Sequence, residues 1–139
     1  MPQRSIIIGS GISGLAAAAV LAQQGVKVTV LERNDTVGGR ARTWEQEGFT
    51  FDMGPSFYWM PDVFEHFFNR FGTSAKDHYE LRRLAPSYSV IFGPGDRWDL
   101  PAGREAVAAL FEQEEPGAGK KLAAFLDEAA VKYRIGMQD

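Results

Sequence analysis

The sequence predicts an α/β fold that opens on a strand–helix–strand crossover, and three observations carry that expectation. Ile6, Ile7 and Ile8 form a β-branched run that stops at glycine. The alanine-rich stretch from Leu15 to Gln24 follows, with Gly25 as its stop. A second apolar run, Val26 to Glu32, comes next. A run apolar on both faces suits a buried parallel strand. Alanine gives the best helix propensity and glycine favours the residue just past a helix end. Together they make a βαβ unit of about 30 residues.

The texture changes after Arg40. Thr43-Trp44 and Phe49-Thr50-Phe51 flank "EQEG", which predicts a short hairpin, and "DMGPS" is a turn-rich break. Pro61 is suited to open a helix to about Phe71, with Gly72 ending it. "SYSVIF" and "RWDL" flank "GPGD", a second hairpin signal. Ala102 to Glu114 and Gly117 to Arg134 are expected as helices separated by Pro116. The chain has no internal repeat, and its composition shifts near residues 57 to 60.

Composition narrows the function classes. The 139 residues are 45% hydrophobic and 24% charged, ordinary values for a globular domain. A net charge of -3 gives no basic footprint for nucleic acid. With no cysteine there is no disulfide, thiolate metal site or cysteine nucleophile. The first 22 residues have a basic start and an apolar middle, but Gly9, Ser10, Gly11, Ser13 and Gly14 interrupt the run, unlike a secretory signal. No uninterrupted apolar stretch is long enough to span a bilayer.

Three pieces of the opening unit point to a nucleotide with a ribose and a pyrophosphate. Gly9, Gly11 and Gly14 in "GSGISG" have the G-x-G-x-x-G spacing between a strand and a helix. The first permits a tight turn, the second close approach of a pyrophosphate, the third close packing of helix on strand. The helix mouth adds free N–H groups and roughly half a positive charge. Glu32 lies eighteen residues past Gly14, at the end of the second strand. An acid there accepts hydrogen bonds from ribose hydroxyls and repels a 2′-phosphate, which disfavours NADP. Arg33 beside it reads as a surface neighbour. Gly38 and Gly39 allow the backbone to pass close to the phosphates and bring Arg40 round as a cation. A nicotinamide site does not require that third piece; a longer cofactor, FAD, has reason to use one.

The stretch "IIIGSGISGLAAAAVLAQQGVKVTVLERNDTVGGRA" resembles the N-terminal FAD motif shared by amine oxidases, protoporphyrinogen oxidases and carotenoid desaturases. "GFTFDMGPSFYWMPDVFEHFFNRFG" is similar to bacterial phytoene desaturases, where G-x-x-F-D-x-G-P-[ST] follows the Gly-Gly-Arg. The resemblance continues through "YELRRLAPSYSVIFGPGDRWDLP". It implies FAD held by Gly9, Ser10, Gly11, Ile12, Ser13, Gly14, Glu32, Arg33, Gly38, Gly39 and Arg40, with Gly54, Pro55 and Ser56 approaching the flavin end. It implies hydride removal from a saturated carbon of a long polyene such as phytoene. It also implies a lipophilic substrate and peripheral association of a cytoplasmic enzyme with the inner face of a membrane.

Such chains run to several hundred residues. The expected architecture is therefore an incomplete α/β fragment: the N-terminal βαβ of a Rossmann-like FAD-binding domain over residues 1–56, then the start of an α+β substrate domain over residues 57–139. The parent would be the active enzyme, with catalytic residues expected beyond Asp139, and the fragment alone inactive. Three alternatives stay open: an amine or protoporphyrinogen oxidase type, a non-catalytic prenyl-lipid-binding relative similar to Rab GDP-dissociation inhibitors, and an independent NAD-binding module.

Other features have plainer readings. Val63, Phe64, Phe67, Phe68 and Phe71 form an apolar helical stripe, as expected for core packing, with a polyene tunnel or a membrane face as the functional alternative. His66 and His78 lack a partner at ligand spacing, and no metal is expected. Asp52 and Asp62 suit turn or cap positions better than proton acceptors.

Overall fold

The computed structural model describes residues 3–137. They form two compact units that divide between Tyr79 and Glu80. The sequence places a boundary at 56/57; the compact units divide further along the chain.

The first unit opens on the expected crossover. Strand β1 (Arg4–Ile8) pairs in parallel with β2 (Lys27–Leu31), Ile6 opposite Thr29 and Ile8 opposite Leu31. Helix α1 (Ile12–Gln23) connects them. It begins three residues before the expected Leu15, because the glycine loop runs straight into it and Gly11 is its N-cap. Its end is a complete Schellman motif: Gly25 N–H donates to the Ala22 carbonyl at 2.9 Å and Val26 N–H to the Leu21 carbonyl at 3.1 Å. Gly25 sits at φ +81°, the left-handed conformation that this motif requires.

The alternation along both strands decides which face is covered. Ser5 and Ile7 of β1 and Val28 and Val30 of β2 are half-buried. The other face is open, with Ile6 68%, Ile8 88% and Leu31 52% exposed. Strand residues apolar on both faces ask for layers on both sides; here only one side is covered.

β3 (Thr43–Gln46) and β4 (Phe49–Asp52) form the first hairpin. Its loop is only Glu47-Gly48, at φ 51° and 83°, shorter than the expected four residues. Two consecutive positive φ values make the tight type I′ turn, whose twist matches the strands. Trp44, Phe49 and Phe51 share one face, and the Trp44 and Phe51 rings lie 5.3 Å apart.

Helix α2 (Pro61–Asn69) starts at the expected proline. It closes by a second Schellman pattern, Gly72 N–H to the Asn69 carbonyl at 3.1 Å and Thr73 N–H to the Phe68 carbonyl at 3.3 Å. The phenylalanine stripe packs within the unit. Phe67 contacts Phe68 and Phe71, Tyr58 contacts Phe64, and Phe68 stacks on His78 at 4.5 Å. A short turn of helix, Ala75–Asp77, was not anticipated; Ser74 and Asp77 form its capping box, and Glu65 accepts from Ala75 N–H at 3.0 Å. The Gln23 side-chain amide donates to the Arg70 carbonyl at 2.8 Å, tying the ends of α1 and α2 together.

The second unit holds a hairpin and a helix pair. β5 (Tyr88–Gly93) pairs with β6 (Asp96–Leu100) around Pro94-Gly95, with a register irregularity between Ile91 and Gly93. Helix α3 is Arg104–Glu114 and α4 is Ala118–Gly136. α3 starts later than the expected Ala102 because Gly103 sits at φ 102°, outside the helical region. Trp98 packs edge-on against Phe111, 5.6 Å between ring centres, which seats the hairpin on α3. Arg104 bridges to Asp127 at 2.6 Å and donates to the Ala123 carbonyl at 3.1 Å, linking α3 to α4. Among the described residues, no helix is long and apolar enough to cross a membrane.

Candidate functional site

The site is assembled at the C-terminal end of the parallel strands, where β1 gives way to α1. Gly9 turns the chain at φ +99°, and its N–H donates to the Leu31 carbonyl at 2.7 Å, tying the loop to the end of β2. A Cβ on Gly14 would stand 2.2 Å from the Gly9 carbonyl oxygen, so only glycine lets α1 sit this close to the loop. A Cβ on Gly11 would meet nothing within 4 Å; its surroundings are open space. α1 has no side-chain cap and no acid in its first turn, so the N–H groups around Ile12, Ser13 and Gly14 remain available at the positive end of the dipole.

The Gly38-Gly39 pair lies directly against this loop. Gly38 N–H donates to the Ser10 carbonyl at 2.9 Å, and Gly38 bridges to Gly11 in parallel sense. A Cβ on Gly39, at φ +59°, would come within 3.0 Å of the Gly11 Cα. The two glycines therefore allow one backbone to rest on another, and Arg40 follows immediately in a short helical turn, Gly39–Ala41. Arg40 is exposed. Gly54 packs on the same turn: a Cβ there would stand 2.0 Å from the Arg40 carbonyl oxygen. Pro55 and Ser56 follow on the exposed chain.

Glu32, one residue past β2, is held by four hydrogen bonds. Its Oε2 accepts from Ser10 N–H at 2.8 Å and from the Ser10 hydroxyl at 2.7 Å. Its Oε1 accepts from Asn34 N–H at 2.9 Å and from the Asn34 side-chain amide at 2.8 Å. The Asn34 N–H, then the Ser10 N–H and hydroxyl, pull the carboxyl down from 4.5 to about 2, against a smaller opposing effect of burial. Ser10 is 1% exposed, so its half of the clamp is built into the loop.

The fold thus gathers the glycine loop, Glu32, Gly38-Gly39-Arg40 and Gly54 at one strand end. Arg33 is exposed beside Glu32 and makes no hydrogen bond or ion pair among the described residues. Two participants escaped sequence reasoning. Asn34 holds Glu32, and the signal available was an Asx residue two positions after an acid at a strand end. Arg42 donates to the Gly39 carbonyl at 3.1 Å and braces the turn; nothing in its sequence context distinguishes it from a surface arginine.

A glycine-lined helix mouth, a fixed acid on the second strand and open space above the second glycine define a Rossmann-like dinucleotide-binding unit. The family model described as an NAD(P)-binding Rossmann-like domain matches residues 7–71. The chain is 46% identical over 131 residues to the carotenoid 3,4-desaturase of Haloarcula japonica, an alignment covering 94% of this chain and 26% of that protein. It is 42% identical over 129 residues to the 4,4'-diapophytoene desaturase (4,4'-diaponeurosporene-forming) of Staphylococcus aureus strain Newman, covering 93% of this chain and 26% of that one. The chain is homologous to the carotenoid desaturases of the phytoene and diapophytoene desaturase family, and spans about a quarter of the length of the curated relatives it matches.

Proposed function

We propose that this chain binds FAD and serves an enzyme that desaturates a carotenoid precursor such as phytoene. The observation that carries the reading is the packing of Gly38-Gly39 onto the glycine loop, because it sets a cation, Arg40, beside a helix mouth that already favours anions. The residues fit a dinucleotide. Gly11 leaves room where phosphates would lie, the first turn of α1 offers N–H donors, and Glu32 is a charged acceptor for an adenosine ribose. A carboxylate there disfavours a 2′-phosphate, which argues against NADP.

In this reading Gly9, Ser10, Gly11, Ile12, Ser13 and Gly14 line the pyrophosphate, Arg40 neutralises part of its charge, and Arg33 lies at the rim. Residues 1–56 serve the cofactor and residues 57–139 begin the substrate side, with Gly54, Pro55 and Ser56 toward the flavin end. FAD, when bound, supplies a hydride acceptor. The chain's own residues bind and orient it. A long polyene as substrate follows from the relatives' names, and a lipid-soluble substrate favours work at a membrane surface on the cytoplasmic side.

The test is the full-length protein expressed in cells that make phytoene. Yellow flavin absorbance in the purified protein and new conjugated polyenes in the cells are expected. A colourless protein that still binds prenyl lipid would overturn the reading in favour of a non-catalytic carrier. A flavoprotein inert on phytoene but active on amines or protoporphyrinogen would move the substrate.

A further inference from the structure

The bonding of Glu32 raises a problem that ribose binding must solve. A carboxylate has about four acceptor positions on its two oxygens. Ser10 fills the two on Oε2, and Asn34 fills the two on Oε1. A ribose hydroxyl arriving at Glu32 therefore finds no free acceptor position.

The four donors are not equally able to leave. The Ser10 hydroxyl is sealed inside the loop, with Ser10 1% exposed. The two backbone N–H groups are fixed by the chain: the loop carrying Ser10 is tied to β2 through the Gly9–Leu31 hydrogen bond, and Asn34 N–H is two residues from the acid it serves. The Asn34 side-chain amide alone is exposed and on a rotatable side chain.

We propose that the Asn34 side-chain amide is a stand-in for the ribose 2′-hydroxyl: it occupies the Oε1 position of Glu32 until the nucleotide arrives, and is displaced on binding, while Ser10 keeps the carboxylate aimed. This rests on the reading of Glu32 as the ribose acceptor. Asn34 and Ser10 are positioning residues, and they act in opposite directions on affinity. Asn34 keeps Glu32 satisfied in the empty protein and so opposes binding. Ser10 fixes the carboxylate in both states and so supports it.

The experiment is calorimetric titration of the flavin-free full-length protein with ADP and with 2′-deoxy-ADP, for the wild type, Asn34→Ala, Asn34→Leu, Ser10→Ala and Glu32→Gln. Removing one competing hydrogen bond should tighten ADP binding by about three- to tenfold in both Asn34 variants. Neither should gain on 2′-deoxy-ADP. Ser10→Ala should bind ADP more weakly. In the wild type, the Asn34 side-chain amide resonances should move at ADP saturation and stay put with 2′-deoxy-ADP. If Glu32→Gln weakens ADP binding but the Asn34 variants are unchanged or weaker, the stand-in is wrong while the ribose reading survives. If Glu32→Gln binds ADP as the wild type does, the ribose reading itself fails and takes the stand-in with it.

Discussion

Gly11 and Gly14 are both glycines of one six-residue motif, yet they serve different ends. Gly14 is glycine because the Gly9 carbonyl is in the way of any Cβ, at 2.2 Å. Gly14→Ala should therefore damage the fold itself, by about 1–3 kcal/mol of overpacking, read as a lower urea midpoint. Gly11→Ala meets nothing within 4 Å in the chain. It should lose less stability, about 0.5–1 kcal/mol from the poorer N-cap, and lose nucleotide affinity, because the new methyl occupies the space open to phosphate. Equal losses of stability in the two variants would contradict this division. The spacing in the sequence announced the triplet and its division of duties; the backbone contacts add the clash at Gly14 and the open space at Gly11.

Glu32 makes a second residue-scale prediction, from its depressed carboxyl. A group pulled down from 4.5 to about 2 contributes stability that is present above the unfolded value and lost as the pH falls through the folded one. Its share of stability should therefore fade between pH 4.5 and about 2. In the Ser10→Ala variant the carboxyl should titrate higher, since one of its stabilising donors is gone. Carbon-detected NMR titration of the Glu32 side chain reads this directly; an unchanged midpoint would refute the role of the hydroxyl.

The elements were legible where turn chemistry is local. Gly25 and Gly72 each mark a helix end from sequence, and each sits at positive φ next to a Schellman pattern. Pro61 and the hairpin positions follow the same logic. Element starts were less legible. α1 begins early because a glycine serves as its N-cap, and α3 begins late because the Gly103 backbone is turned out of the helical region. Neither effect has a side-chain signature.

One turn carries an unfavourable residue. Glu47 occupies the first position of the type I′ turn at φ 51°, where asparagine is favoured. Glu47→Asn should raise stability by about 0.5–1 kcal/mol. Glu112 is a cap in another sense: its carboxylate accepts from Gly117 N–H at 2.8 Å and from Gly119 N–H at 3.0 Å, at the mouth of α4. Glu112→Ala should cost about 0.5–2 kcal/mol and speed amide exchange at Gly117 and Gly119.

At the scale of the whole molecule, little apolar surface is hidden. Ala75 and Leu100, each 7% exposed, are the only buried hydrophobic residues among those described. The β-branched runs suit strands covered on both faces, and one face of the β1–β2 pair is apolar and uncovered. Ile8→Thr on that open face should change stability by less than about 0.5 kcal/mol while reducing binding of a hydrophobic dye. Ile7→Ala, on the face beneath α1, should cost about 1–2 kcal/mol.

The pyrophosphate position is tested most directly by titrating the ¹⁵N-labelled chain with ADP and following its amide and arginine resonances. Shifts concentrated at Gly9 to Gly14, Gly38 to Arg40 and the Arg40 guanidinium are expected, and they should weaken as salt is raised. Saturable binding that moves α3 or α4 instead and leaves the glycine loop and Arg40 undisturbed would contradict the assignment.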